Sequence, residues 1–126
     1  MRIWMLGIVL VLFSCNTKEQ SKIDSTVTLD GRWLMEAAAR DGKLTETLKG
    51  SFFEFHKDNQ LINNLNRKVR TYSYELVSDV IKQRGGDMDV DYQIVQLVED
   101  TLILRTRVLE YDFQFLLLKD TSKILN

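Results

Sequence analysis

The sequence predicts an all-β domain, an antiparallel up-and-down meander of about eight strands that closes into a barrel. In several segments between residues 28 and 120, apolar side chains recur at every second position, as in strands with one buried face. Turn-forming residues separate these segments at intervals of roughly ten residues, which is too short for the crossovers of a parallel sheet. The chain contains no Pro, a residue that protects open sheet edges, and this favours closure.

The strand pattern is clearest from residue 51 onward. Phe53 and Phe55 alternate with Glu54 and His56, and a turn-forming Lys57-Asp58-Asn59 follows. Later runs of alternating or β-branched and aromatic residues span 69–76, 89–94, 101–108 and 112–117. The remaining turns are predicted at Asp41-Gly42, Gly50, Asn63-Asn64, Gly85-Gly86, Glu99-Asp100 and Glu110, with positive φ at the paired glycines.

An apolar leader precedes this domain. Met1-Arg2 supplies a positive charge, and residues 3–13 are uncharged and almost entirely apolar. This run is shorter than the roughly 20 helical residues that cross a bilayer, so it indicates a signal peptide. We therefore predict that residues 1–14 are removed from the mature chain.

The end of the leader, Leu12-Phe13-Ser14-Cys15, resembles the lipobox of bacterial lipoproteins. The resemblance implies cleavage before Cys15, lipidation of its Sγ and attachment to a membrane through acyl chains such as palmitate. Asn16 stands where an Asp would resemble an inner-membrane retention signal, which favours the outer membrane, on either face. The alternative is an ordinary secretory signal. Residues 15–27 are predicted to be the lipidated Cys and a flexible tether, because only Ile23 and Val27 are apolar after Cys15.

A second resemblance begins at Leu29-Asp30-Gly31-Arg32-Trp33-Leu34, which is similar to the Gly-x-Trp opening of lipocalin-type barrels. Residues 97–104 resemble the penultimate hairpin of small lipocalin-like domains in Gram-negative envelope lipoproteins, and Phe53-x-Phe55 agrees with them. The resemblance implies a lipocalin-like barrel over residues 28–120, with residues 121–126 as a tail. In lipocalins a basic side chain of the last strand stacks on the Trp, and Lys119 is the candidate here.

Residues 34–40, Leu-Met-Glu-Ala-Ala-Ala-Arg, are rich in helix-forming residues, so both a helix and a strand remain open. We favour a strand because the lipocalin-like opening immediately precedes them.

The predicted barrel interior supplies the candidate ligand-binding residues. A barrel of eight strands is just wide enough to be filled by its own side chains or to hold one small molecule. The same aromatic residues are therefore candidates for a packed core and for the lining of a hydrophobic site. They are Trp33, Phe53, Phe55, Tyr72, Tyr74, Tyr92, Leu104, Phe113 and Phe115. Arg105 and Arg107 are expected on the outer face, and only a different register would bring them to an anionic headgroup.

Composition argues against several other functions. The chain has 17 basic and 18 acidic residues, so we expect no nucleic-acid partner. One Cys and one His exclude a disulfide framework within the chain and a Cys/His zinc cluster. Asp87, Asp89 and Asp91 lack the Glu that would complete a calcium loop, since position twelve is Val98. We expect no metal and no cofactor.

His56 and Glu54 share a strand face but have no recognisable nucleophile, so we expect no catalytic residues and no enzyme. The sequence thus favours a lipid-anchored protein that binds a small hydrophobic or amphipathic ligand in or at the mouth of its barrel. The alternative is a non-enzymatic module with a filled barrel that binds an envelope protein.

Overall fold

The structure, a computed structural model, describes residues 21–122. The predicted signal peptide and Cys15 lie outside the described residues, as does most of the predicted C-terminal tail. Over the described part the chain forms ten strands and no α-helix. The strands are β1 (Lys22–Ile23), β2 (Gly31–Arg40), β3 (Lys43–Thr45), β4 (Phe52–Phe55), β5 (Gln60–Asn63), β6 (Arg70–Val77), β7 (Val80–Arg84), β8 (Val90–Val98), β9 (Thr101–Val108) and β10 (Tyr111–Lys119).

Eight of these strands close into an antiparallel barrel, as predicted. Around the barrel the order is β2-β4-β5-β6-β7-β8-β9-β10, and β10 pairs again with β2. Strand β3 is a short hairpin extension on β2, and β1 lies parallel to β8. Inward side chains alternate with outward ones along each strand, so that a single hydrophobic core fills the space that the barrel encloses.

Residues 34–40 belong to strand β2, and the preference for a strand is therefore confirmed. This strand pairs with β4 on one side and with β10 on the other, so its backbone is hydrogen-bonded along both edges. A register shift between Leu116 and Leu117 of β10 accommodates Glu36, which has no partner there. Helix propensities differ by only about 0.7 kcal/mol per residue among ordinary residues, so pairing and burial outweigh them.

The barrel has two distinct ends. We call the end at which β2 begins and β10 finishes the closed end; it also carries the β4–β5 and β6–β7 turns. The opposite end, called the far end, carries the β2–β3, β7–β8 and β9–β10 connections.

Residues 21–30, called the strap, run along the closed end. Strand β7 pairs with β8 only as far as Gln93, so residues 94–98 of β8 extend beyond it. Lys22 and Ile23 occupy part of this free edge by pairing with Gln96 and Leu97. Residues 15–27 were expected to be a flexible tether, but the described part of that segment lies on the barrel. The physical reason is that β8 offers unpaired backbone groups there and that Val27 packs against the core.

Candidate functional site

All nine predicted interior residues pack together in one hydrophobic cluster. Two of them, Tyr74 and Phe113, are half-buried. The others are buried: Trp33, Phe53, Phe55, Tyr72, Tyr92, Leu104 and Phe115. The structure therefore brings together every residue that the sequence proposed for the interior.

Aromatic rings occupy the middle of the barrel. Phe53 is fully buried, and its ring meets that of Tyr92 edge-on at 5.2 Å between centroids. The rings of Phe55 and Phe115 lie 6.1 and 6.2 Å from Phe53 on its other sides. These separations are those of aromatic pairs in direct contact. Phe53 and its neighbours thus take up the volume in which a lipocalin-like barrel would hold a ligand.

A buried polar cluster extends the core towards the far end. The Asn63 side-chain amide and the Tyr92 hydroxyl both donate to Gln83 Oε1, at 2.9 and 2.8 Å. The Gln83 amide in turn donates to the carbonyl of Met88 at 3.0 Å. Burial raises the pKa of Tyr92, which keeps its hydroxyl a neutral donor. Each of these buried polar side chains has a partner, so the cluster belongs to the barrel's structure.

Sequence reasoning missed two members of this cluster. Asn63 was predicted to lie in a turn with Asn64, but it is the last residue of β5 and is buried. The prediction was wrong because turn propensity was weighed without the alternation in this strand. Leu61 and Asn63 lie on one face, as do Ile81 and Gln83 in β7, and that period-two pattern could have identified both polar residues.

Trp33 closes one end of the core. Its indole Nε1 donates to the carbonyl of Leu29 at 2.9 Å, and its ring lies beneath Lys119 Nζ at 4.7 Å from the centroid. Lys119 also donates to the carbonyl of Asp30 at 2.7 Å. The residue that the lipocalin resemblance put forward as the basic partner of the Trp therefore occupies that place.

Gly31 makes this contact possible. Its φ is +118°, and a Cβ at this position would lie 2.9 Å from Lys119 Cε. Only a residue without a side chain can adopt this backbone conformation and leave room for the lysine. The Gly, the Trp and the Lys therefore form one structural unit at the closed end.

A groove of about 600 Å³ lies beside this unit, between the strap, β6 and β8; we call it the strap groove. Its apolar lining consists of Ile23, Val27, Leu29, Tyr74, Leu76, Ile94 and Leu97. Polar groups of Asp30, Asn59, Glu75 and Ser78 also border it. Burial, followed by the charges of Asp30 and Asp58, raises the pKa of Tyr74, so its hydroxyl is neutral. An apolar wall with a few polar groups is the usual chemistry of a site for an amphipathic molecule.

The strap supplies six of the lining residues, and its hydrogen bonds hold one edge of the groove in place. The six are Ile23, Ser25, Val27, Thr28, Leu29 and Asp30. Ser21 Oγ lies 2.9 Å from Asp79 Oδ2 and 3.0 Å from the carbonyl of Ile94. The hydrogen bond from Ser21 lowers the pKa of Asp79. Sequence reasoning missed this groove, although the two apolar residues of the segment, Ile23 and Val27, both line it.

The charged candidates lie on the outer surface. Arg105 and Arg107 are exposed, as expected, and Arg107 forms an ion pair with Asp112 at 2.8 Å. His56 Nε2 lies 2.9 Å from Glu54 Oε2, and Arg32 bridges Glu54 to Asp120. These contacts bind the outer faces of neighbouring strands to one another.

Two of the three aspartates after Gly85-Gly86 contact different partners. Asp87 accepts from the Tyr72 hydroxyl at 2.8 Å and pairs with Arg70 at 3.3 Å, whereas Asp91 pairs with Arg84. Burial first, and then the Asp87 carboxylate, raises the pKa of Tyr72 to about 12. Within residues 21–122 no three acidic, His or Cys side chains are placed to share a metal ion.

The paired glycines of the β7–β8 connection have different roles. Gly85 has the predicted positive φ, at +83°. Gly86 does not, so Gly85 alone supplies the positive φ of the predicted turn. A Cβ on Gly86 would instead lie 2.5 Å from the ring of Tyr72, so close packing is what requires a glycine there.

Comparison of the chain with family models, with curated proteins and with solved structures finds no match. Among the described residues, none forms a helix with the length and hydropathy needed to cross a membrane.

Proposed function

We propose that this chain is a lipid-anchored, lipocalin-like lipoprotein of the outer membrane that binds a small hydrophobic or amphipathic molecule in the strap groove. The observation that carries the proposal is the apolar groove at the closed end of the barrel, next to a core filled by aromatic rings. No catalysis and no metal or organic cofactor are part of the proposal.

The size and chemistry of the strap groove support such a ligand. Pockets that bind small molecules usually measure about 300–1,000 Å³, and the groove has about 600 Å³. Leu76 is 49% exposed and Ile23 is 42% exposed, so both present apolar surface that a ligand would cover. An acyl or isoprenoid chain would lie along these side chains, while its polar end would meet Asn59 or Ser78 at the border.

The packing of the core favours this groove over the interior. A ligand inside the barrel would have to displace Phe53, which contacts three other rings and is fully buried. Exposing a buried aromatic side chain of this size costs about 4 kcal/mol or more. The strap groove requires no such displacement.

The lipobox resemblance and the position of the strap support the lipid anchor. Lipid on Cys15 would hold the mature chain to a membrane, and two or more acyl chains make such an anchor stable. Ser21 stands six residues after Cys15, so the closed end and its groove would remain near the bilayer, where hydrophobic ligands concentrate.

Binding is tested with a chain that starts at residue 15 and carries Cys15→Ser. This chain cannot be lipidated and retains all described residues. Titration with a fluorescent fatty acid should give saturable binding. Leu76→Asp, in the groove, should weaken binding at least about tenfold, because a Leu buried by ligand contributes about 1.5 kcal/mol or more. Val69→Asp is the matched control, because Val69 lies near the far end and is 63% exposed. Equal losses in the two variants, or no saturable binding in the parent chain, would refute the groove as the site.

The anchor is tested separately by the mass of the mature chain purified from membranes. A lipid adduct on Cys15 is expected, and Cys15→Ser should release the chain into the soluble fraction. A mature chain with an unmodified Cys15 would contradict the anchor but leave the binding experiment valid.

The filled core also favours a second candidate, a non-enzymatic module that binds an envelope protein. Crosslinking in cells, combined with lipid extraction from the purified native chain, separates the two candidates. A co-purifying protein without co-purifying lipid would favour the second one. Co-extraction of a stoichiometric hydrophobic molecule would favour the first.

A further inference from the structure

The outer surface of the barrel carries aliphatic side chains that the core does not explain. They project from β2, β8, β9 and β10 towards the closed end, and we call them the outer apolar band: Leu34, Val98, Ile103, Leu116 and Leu118. Their neighbours along the strands, such as Leu97, Leu102 and Leu117, are buried in the core. Towards the closed end these strands therefore carry aliphatic residues on both faces, whereas a strand with one solvated face normally has polar residues there.

The strand register makes the band continuous. Ile103 is the partner of Leu116, and Leu118 is the partner of Leu34. Thr101 pairs with both Val98 and Leu118, so it connects Val98 to the Leu118–Leu34 pair. Because paired strands lie about 4.8 Å apart, these side chains form two adjacent rows across the sheet.

The band is most exposed on its β2–β10 side. Leu34 is 41% exposed and Leu118 is 37% exposed, and they are direct partners across β2 and β10. None of the five band positions carries a charge. An exposed aliphatic surface of this kind can contact a membrane or another protein.

The chain outside the described residues favours the membrane. Lys22 is the partner of Gln96, and Gln96 is the partner of Ile103, so β1 lies only two strand spacings, about 10 Å, from the band. Seven residue steps separate Cys15 from Lys22, and a fully extended chain of that length reaches at most about 25 Å. Lipid on Cys15 would therefore bring the band to the bilayer surface.

We propose that the outer apolar band docks on the bilayer that holds the anchor, with its aliphatic side chains at the boundary between headgroups and acyl chains. The inference rests on the proposed lipid anchor but not on ligand binding in the strap groove. It makes the anchored barrel lie with the β2–β10–β9–β8 face towards the lipid. Leu109 lies in the β9–β10 turn at the far end, the length of these two strands away from the closed end near which the band lies.

The test uses the full mature chain, purified from membranes with its anchor and reconstituted into vesicles of phosphatidylethanolamine and phosphatidylglycerol. Leu118→Cys introduces a thiol in the band, and acrylodan attached to it reports the polarity around it. Leu109→Cys is the matched control, because this residue is 85% exposed at the β9–β10 turn. We expect blue-shifted emission at position 118 and iodide quenching at least about threefold weaker there than at position 109, since an inserted side chain lies below the headgroups.

Each other outcome overturns the inference in a recognisable way. Equal quenching at the two positions in anchored chains would show that the band faces water. Protection at position 118 in native membranes but not in pure lipid vesicles would show that a protein covers it. A chain that carries a free Cys15 thiol and does not sediment with vesicles would overturn the anchor as well, which separates that failure from a failure of docking alone.

Discussion

The filled core makes a specific prediction for Phe53→Ala. Phe53 lies in β4, is fully buried and contacts the rings of Phe55, Tyr92 and Phe115. Truncation to Ala removes all three ring contacts and leaves a void in the middle of the barrel. The surrounding strands are hydrogen-bonded on both sides and can collapse only partly into that void.

The expected cost is large. A buried aromatic side chain removes about 150–250 Å² from water, which at about 25 cal/mol per Å² corresponds to about 4–6 kcal/mol. Measured Phe-to-Ala changes in protein cores cost about 3–5 kcal/mol, in agreement with that range. The total free energy of unfolding of a domain is about 5–15 kcal/mol, so the variant should fold but unfold much more readily.

Urea unfolding of the purified chain measures this cost. Leu109→Ala, on the exposed β9–β10 turn, is the control, and it should change the free energy of unfolding by less than about 0.5 kcal/mol. Phe53→Leu should give a smaller loss if Phe53→Ala fails to fold. The new void should also bind benzene, as apolar cavities do. A loss below about 1 kcal/mol, or benzene binding by the parent chain in its interior, would refute the filled core.

Three further predictions concern named contacts. Lys119→Met should lower the free energy of unfolding by about 1–3 kcal/mol, because it removes the cation over the Trp33 indole and the hydrogen bond to the carbonyl of Asp30. Urea titration measures this change, and the fluorescence of Trp33 in the folded chain should change as well. Gly31→Ala should lower the free energy of unfolding by about 1–3 kcal/mol, because Gly31 has a positive φ. Combined with Lys119→Met, it should cost less than the sum of the two single changes, because the new Cβ clashes with the lysine side chain that the second change removes. The pKa of Tyr72 is raised from 10.0 to about 12 in the folded chain. Between pH 10 and 12 the Tyr72 hydroxyl therefore ionises in the unfolded chain but stays protonated in the folded one. The free energy of unfolding should fall by about 2 kcal/mol over this range. Tyr72→Phe should remove this part of the pH dependence and the hydrogen bond to Asp87, while Tyr74 and Tyr92, whose pKa values are also raised, retain theirs. An unchanged alkaline unfolding profile would contradict the assignment.

The barrel could be predicted from the sequence because its signals are local. Alternation such as that of Phe53 and Phe55 assigns side chains to one face, and the short turns permit only neighbouring antiparallel pairs. The place of Lys119 over Trp33 followed from the lipocalin resemblance. Residues 34–40 were ambiguous from local propensity alone, and their pairing partners on β4 and β10 decide the strand.

The strap groove and the contacts within the polar cluster depend on long-range pairing. Alternation could have placed Asn63 and Gln83 on inward faces, but it could not have shown which residues they contact. Nothing local to Ile23 indicates that β8 extends past β7 and offers an edge to β1. Asn63 and Gln83 are 20 residues apart, on β5 and β7, and the pairing of both strands with β6 places them on the same inner face, where they form a hydrogen bond.

The most direct measurement is paramagnetic relaxation in the presence of a spin-labelled fatty acid, with the backbone amides of the Cys15→Ser chain assigned by NMR. We expect saturable broadening at residues 23–30 of the strap and at residues 74–78 of β6 and its turn. Residues buried at mid-barrel, such as Leu104 and Phe115, should remain sharp. Broadening centred on Leu104 and Phe115, with the strap unaffected, would place the ligand inside the barrel and contradict binding at the strap groove.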